Sequence, residues 1–295
     1  MPQRPARSGW LPLLPLLVLL LPFMAGVALT ALQSVGLATP ALAPAPSGPL
    51  QLSWDGWREL TSPVMQDALL LGVRVALLSA LGAVAAGTLL ALGIWRLPLH
   101  WQRLGLLGRI PLIMPHIAVG WLVILFCTRS GLLSAVALHM GIIERQAQFP
   151  ALLYGGDGTG MMLAYLWKET PFVMLLVAAS LHRLDTRLLD TAHMLGAGRW
   201  QTFRSVVLPH VAPVLHTCFL ILFLYALGAV EIPFLLGEST PAMPGMEAYT
   251  RYFHADLADR APAMALMTLL FATGIAVVAI YVRVVAHLSG RERVL

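Results

Sequence analysis

Long apolar stretches separated by short polar segments run the length of the chain. Six of them, at roughly 10–32, 68–94, 107–127, 159–180, 210–235 and 262–284, are each long enough to cross about 30 Å of hydrocarbon as a helix. A backbone in lipid must satisfy its own hydrogen bonds, which leaves helices or a closed barrel, and uninterrupted apolar runs select helices. The predicted fold class is therefore an all-α membrane protein with six transmembrane helices. Composition agrees: 58% of residues are hydrophobic, 11% are charged and the mean hydropathy is +0.79. No basic patch suited to nucleic acid stands out, so the net charge of +5 carries meaning only through its location.

That location sets the orientation. Twelve arginines, including Arg4, Arg7, Arg96, Arg103, Arg109, Arg183, Arg187, Arg199 and Arg204, fall on the face that holds both termini, against five on the other face. The excess predicts that both termini and the 181–209 loop are cytoplasmic. The first span follows Arg4 and Arg7, and Ala41-Leu42-Ala43 has the form of a cleavage site. Its 23 uncharged residues exceed a signal-peptide core, which favours a retained anchor. Residues 36–50 are rich in Pro, Ala and Gly and predict a semi-rigid extracytoplasmic linker. The expected organisation is an anchor helix and linker over 1–66, a five-helix core over 67–285 and a cytoplasmic tail over 286–295. In the external loop 128–158, Gly131 to Met140 is apolar but too short to span; an interfacial helix and a packed loop are both open. The opposite face carries nine carboxylates against its five arginines, which suits a cationic solute or a basic docking partner equally.

The most informative segment is polar. In Asp185 to Gly198, Asp185 can cap a short helix whose Leu188, Ala192 and Leu195 share a face, and Gly196 supplies a left-handed stop. Arg199 to Pro209 then forms a second short helix with Trp200, Phe203 and Val207 on one side, and Pro209 marks the entry to the fifth span. An amphipathic pair of this kind must bury its apolar face against its own bundle or against another protein.

Asp190-Thr191-Ala192, Gly196 four residues after Ala192, and the closing Val206-x-Leu208-Pro209 resemble the EAA loop of binding-protein-dependent ABC importer permeases. The match covers about 20 residues and precedes the penultimate span, as in that family, with Asp, Thr and Val standing where the family has Glu, Ala and Ile. Trp167 to Phe172 (WKETPF), Val230 to Gly237 (VEIPFLLG) and Pro111 to Gly120 extend the resemblance over about 67–285, nearest to permeases for iron, thiamine, spermidine, putrescine or sulfate. The resemblance implies a type I importer permease fold in a bacterial inner membrane, with no catalysis and no cofactor of its own. It also implies two ABC ATPase subunits, a second permease, an external solute-binding protein and a small-molecule or ionic substrate. In that setting Leu195 and Ala192 would make the buried contact with the ATPase, Gly196 the bend, Asp190 or Arg199 the polar orientation, and Thr191, Leu208 and Pro209 the frame.

Ionisable residues also fall inside spans, where they are costly and face a bundle interior or water. Lys168 and Glu169 lie mid-way along the fourth span and, being adjacent, point about 100° apart, so each needs a partner elsewhere. Glu231, placed in the fifth span, and Arg74 are the available ones. Pro171 should break the fourth span locally by freeing the Trp167 carbonyl. Structural ion pairing, a solvated pathway lining and a substrate site all remain open for this set; His116 is a further pathway candidate that, taken alone, reads as a satisfied interior histidine. An ion-coupled carrier or channel using Lys168, Glu169 and Glu231 is the alternative function. Cys127 and Cys218 lie in apolar runs without metal-ligand spacing, His210 and His216 are six apart, and Gly155 to Gly160 reads as a turn.

Overall fold

The computed structural model describes residues 14–38, 52–98, 108, 110–254 and 260–288. The described residues are helical, with no strands. Six helical stretches are long and apolar enough to cross a membrane: Leu14–Ser34, Pro63–Trp95, His116–His139, Thr159–Leu181, Arg199–Gly228 and Arg260–Val285. Most of the predicted linker, both chain ends and Arg4, Arg7, Arg103, Arg109, Arg291 and Arg293 lie outside the described residues.

The chain divides into two compact units, residues 1–65 with 247–295, and residues 66–246. In the first, helix α1 (Leu14–Ser34) lies along the terminal span, with Phe23 edge-on to Phe271 at a ring separation of 6.0 Å. Short helix α2 (Asp55–Glu59) is pinned at both ends. The Trp57 indole donates to the Ser34 hydroxyl at 3.2 Å, and a Cβ on Gly56 would stand 2.8 Å from the Ala261 backbone, so only glycine permits the approach. Arg251 pairs with Glu247 at 2.6 Å and with Glu59 at 3.5 Å.

The second unit is built on α3 (Pro63–Trp95), whose buried side is a seam of small residues: Ala76, Ala80, Ala83, Gly87 and Ala91. In lipid no hydrophobic force drives helices together, so close backbone approach through small residues substitutes for it. At Gly87 a Cβ would sit 2.6 Å from the Val173 Cβ and 2.7 Å from the Thr170 carbonyl oxygen, which seats α3 directly on the fourth span. The outward side chains are apolar, Leu70, Leu81 and Leu89 among them, as a lipid-facing surface requires.

The third span is interrupted where the sequence predicted one run. A short α4 (Ile110–Ile113) stops before Pro115, and α5 (His116–Cys127) starts afresh after it. The apolar segment beyond forms α6 (Leu132–His139), the short helix that its length allowed. The fourth span, α7 (Thr159–Leu181), shows no break at Pro171; the helix continues through it. Packing of Gly87 against this stretch and a bond from the Thr170 hydroxyl to the Leu166 carbonyl at 2.6 Å accompany the continuity.

After α7 come the short α8 (Thr186–Met194) and the long α9 (Arg199–Gly228), which enters its span through a π-turn at Phe203–Val207. The widened turn lies just before Pro209, whose ring would otherwise collide with the Ser205 carbonyl. The fifth span ends at Gly228, earlier than predicted. Ala229 is extended, and Glu231 opens a separate helix, α10 (Glu231–Leu236), its carboxylate in the first turn where the helix dipole favours it. A Cβ on Gly245 would meet the Gly228 and Ala229 carbonyl oxygens at 2.6 Å, so the chain returning toward α11 (Pro244–Phe253) presses on this break. The last span is α12 (Arg260–Leu288).

Candidate functional site

Two groups of predicted residues come together, one at the α8–α9 bend and one inside the second unit.

The bend follows from local sequence. The Asp185 carboxylate accepts the Arg187 amide at 3.0 Å and caps α8. At the other end Gly196 adopts φ +81°, the Gly196 amide donates to the His193 carbonyl at 2.9 Å, and the Ala197 amide donates to the Ala192 carbonyl at 3.0 Å. That crossed pair is the Schellman arrangement, which closes a helix and reverses the chain. Thr191 turns its hydroxyl onto the Arg187 carbonyl at 2.8 Å. Gly198 opens α9, its carbonyl accepting the Thr202 amide at 2.9 Å.

What those arms present is apolar and uncovered among the described residues. Met194 is 80% exposed, Leu195 83% and Trp200 72%. Leu188 is also exposed, Ala192 is half-buried, and Asp190 stands in the open. Trp200 stacks on Phe203 with ring centroids 5.6 Å apart, while Thr202 and Val207 turn inward. Leu208 and Pro209 lie on the exposed side of the helix that leads away. Arg199 lines a cavity at the end of α3 with Arg96.

The second group is centred on His116, the first residue of α5. Its Nε2 lies 3.1 Å from Glu169 Oε1 on α7, and its Nδ1 lies 3.5 Å from Glu231 Oε2 on α10. One imidazole therefore joins three helices. A neutral ring carries a single N–H and can donate to one carboxylate only, whereas an imidazolium donates to both. The Tyr225 ring of α9 lies 4.9 Å from the imidazole, and Tyr165 meets Tyr225 edge-on at 6.4 Å. The buried Tyr165 hydroxyl has no hydrogen-bond partner among the described residues. Glu231 is the most open member, its side chain 59% exposed against 14% for Glu169.

Lys168 is not part of this cluster. Its ammonium, buried, donates to the carbonyl oxygens of Pro111 at 2.8 Å and Leu112 at 3.1 Å. The reason lies in α4. Pro115 has no N–H to return to the Pro111 carbonyl, which takes only the Met114 amide at 3.3 Å, and the helix ends there, so the last carbonyls of α4 keep acceptor capacity to spare. A cation satisfies them and complements the negative end of the helix. The carboxylate available to Lys168 in sequence, Glu231, is thus replaced by main-chain oxygens. The signal was available in PLIMPH, where two prolines four apart announce orphaned carbonyls.

Arg74 instead sits near the turn Gly155 to Gly160. There Asp157 accepts from the Thr159 hydroxyl at 2.5 Å and from its amide at 3.1 Å. These two bonds, with a weaker contribution from Arg74, hold its carboxyl below the usual carboxylate range. Gly156 and Gly158 are left-handed, and the Gly156 amide donates to Glu238 at 2.8 Å, tying the turn to the segment after α10. His210 is bonded to the Ser180 carbonyl at 2.9 Å.

Residues 104–289 match the family described as binding-protein-dependent transport system inner membrane component. The chain is 29% identical over 197 residues to the inner membrane ABC transporter permease protein YnjC of Escherichia coli strain K12, covering 64% of this chain and 35% of that protein. It therefore spans about a third of the length of that relative. It is 28% identical over 244 residues to the maltose/maltodextrin transport system permease protein MalG of the same strain, covering 76% and 77% of the two chains. Among solved structures, a chain of a bacterial alginate ABC transporter, crystallised with an alginate pentasaccharide-bound periplasmic protein, aligns over 98% of this chain with a TM-score of 0.73 at 18% identity, a likeness of fold.

Proposed function

The chain belongs to the family of binding-protein-dependent transport system inner membrane components, and on that premise we propose that it is one transmembrane half of an ATP-driven solute importer. It is a multi-pass membrane permease of a family whose members are transport subunits rather than enzymes. In the proposed assembly two ABC ATPase subunits dock on the 185–209 loops of this chain and of a second permease, and an external binding protein delivers a small solute to the opposite face. Both termini and the loop lie on the cytoplasmic side. Residues 1–66 serve as anchor and linker, 67–285 as the transport core and 286–295 as a cytoplasmic tail.

The observation that carries this reading is the exposed apolar face around a rigid bend: Leu195 83% exposed, Trp200 72%, on either side of a glycine at φ +81°. A face of that kind is stable in water only when another protein covers it. Closure of the ATPase pair on ATP would move the loop as a rigid body and so rearrange the spans, with Leu195 and Ala192 as contact, Gly196 as pivot and Asp190 or Arg199 as polar guides. Inside the core, Glu169, Glu231 and His116 line the pathway, and Lys168 fixes α4 against α7 beside it. Because the Lys168 ammonium is committed to two carbonyls, it lends no support to an ion-coupled carrier.

Gly196→Asp tests the docking assignment. A Cβ there meets nothing within 4 Å, and the left-handed φ strains an aspartate by about 1–2 kcal/mol, a local cost at an exposed bend, while the variant places a carboxylate on the docking face. The expected result is a membrane-inserted complex in which ATP hydrolysis no longer drives uptake. Uptake at the wild-type rate would sink the assignment.

A further inference from the structure

Where α3 ends and α9 begins, a cavity of about 350 Å³ is lined by Trp95, Arg96, Leu189, His193, Arg199 and Phe203. Its chemistry is divided between an apolar part, formed by two aromatic rings and a leucine, and a cationic part of two guanidiniums with an imidazole N–H beside them. Arg96, His193 and Arg199 are exposed, and none of them is ion-paired to a carboxylate among the described residues. Asp190, next to Leu189, does not line the cavity.

Position matters as much as composition. Trp95 is the last residue of a 33-residue apolar helix, and Arg199 is the first of a 30-residue one, so the cavity lies where two spans leave the membrane. Tryptophan is at home at that depth, and basic pockets between spans at the membrane surface take acidic lipid headgroups. A soluble anion would use the guanidiniums and leave the rings of Trp95 and Phe203 in water. A phospholipid uses both, its phosphate between the arginines and its first methylenes on the rings.

We propose that this pocket binds an anionic phospholipid by its headgroup. Since His193 and Arg199 flank Gly196, the bound headgroup joins the end of α3 to both arms of the bend. Membrane composition then bears on the geometry of the loop, an influence independent of which solute is carried.

The test uses the full chain in nanodiscs of phosphatidylcholine with a graded fraction of phosphatidylglycerol, released for native mass spectrometry beside Arg96→Gln/His193→Gln and Arg96→Lys. The wild type is expected to retain phosphatidylglycerol over phosphatidylcholine by about tenfold, and Arg96→Gln/His193→Gln, which loses one guanidinium charge, by only about twofold. Arg96→Lys, which keeps the charge but loses the planar fork, should fall between the two. Equal retention of both lipids by the wild type, or an unchanged preference in the double variant, overturns the proposal. Displacement of phosphatidylglycerol by millimolar inorganic phosphate would also overturn it, in favour of a free-anion site. No ATPase is needed for any arm, so the outcome is separable from that of the docking experiment.

Discussion

The ammonium of Lys168 donates to the carbonyl oxygen of Pro111 across 2.8 Å, joining the middle of α7 to the end of the broken α4. Both groups are products of the same local fact, a proline that ends a helix inside a membrane protein. Removing the cation leaves the Leu112 carbonyl with no donor among the described residues and the Pro111 carbonyl with only the Met114 amide at 3.3 Å. Lys168→Met should therefore destabilise the protein by about 1–3 kcal/mol for the orphaned carbonyl. Thermal unfolding in detergent, followed by loss of monodisperse protein, measures it; a melting temperature unchanged from wild type would contradict the pairing.

Leu195→Glu addresses the exposed face rather than the bend. At 83% exposure the side chain touches little of its own chain, so the variant should melt like the wild type. Its effect should show only with the ATPase present, as loss of co-purification. Equal recovery of ATPase with both proteins would show that Leu195 is not a contact.

Gly87→Val asks whether the small-residue seam on α3 is required. Its side chain would run into the Val173 Cβ and the Thr170 and Met174 backbone, none of which can rotate away. Overpacking of this kind costs about 1–3 kcal/mol and more where the backbone must shift. The expected readout is a marked drop in folded yield, whereas Gly93→Val, at a position whose Cβ would meet nothing within 4 Å, should express normally.

His116→Phe keeps a ring beside Tyr225 but removes both ring nitrogens between Glu169 and Glu231. Two carboxylates then face one another without a bridging group, which repels α10 from α7. Transport should fall while ATPase binding persists. Additional Glu231→Gln, which removes one of the two charges, should recover part of the activity; no recovery would argue against repulsion as the cause.

Asp157 offers a pH dependence with a definite sign. Its folded-state pKa is depressed by the Thr159 hydroxyl and amide, so the stabilisation is present above the unfolded value and disappears as pH falls through the folded one. Acid below about pH 4 should loosen the turn at the start of α7 in the wild type. Asp157→Asn should be weaker at neutral pH and lose less on acidification, which melting curves from pH 3 to 7 would resolve.

Legibility in the sequence followed the range of the interaction. The α8–α9 bend could be read almost residue by residue, because Asp185, Ala192 and Gly196 act on atoms within a few positions of themselves. The six apolar stretches were equally plain, since a bilayer imposes their length. Glu231 was misplaced into the fifth span because hydropathy runs on unbroken past Gly228; the extended Ala229 has no apolar signature. Pro171 was expected to break its helix, yet α7 continues through it, seated through the neighbouring Thr170 on Gly87, 83 positions away, an approach that no local pattern records. His116 was read as a satisfied interior histidine, and its satisfaction comes from Glu169 and Glu231, on two helices distant in sequence.

The seat of Gly87 on α7 also has a kinematic consequence. Two helices meeting backbone to backbone interlock like a key in a slot, because rotation of either about its own axis would drive a bulkier neighbour into the gap. Under the coupling proposed above, a pull on α8 at the end of α7 would be delivered to α7 and α3 together, as a two-helix lever.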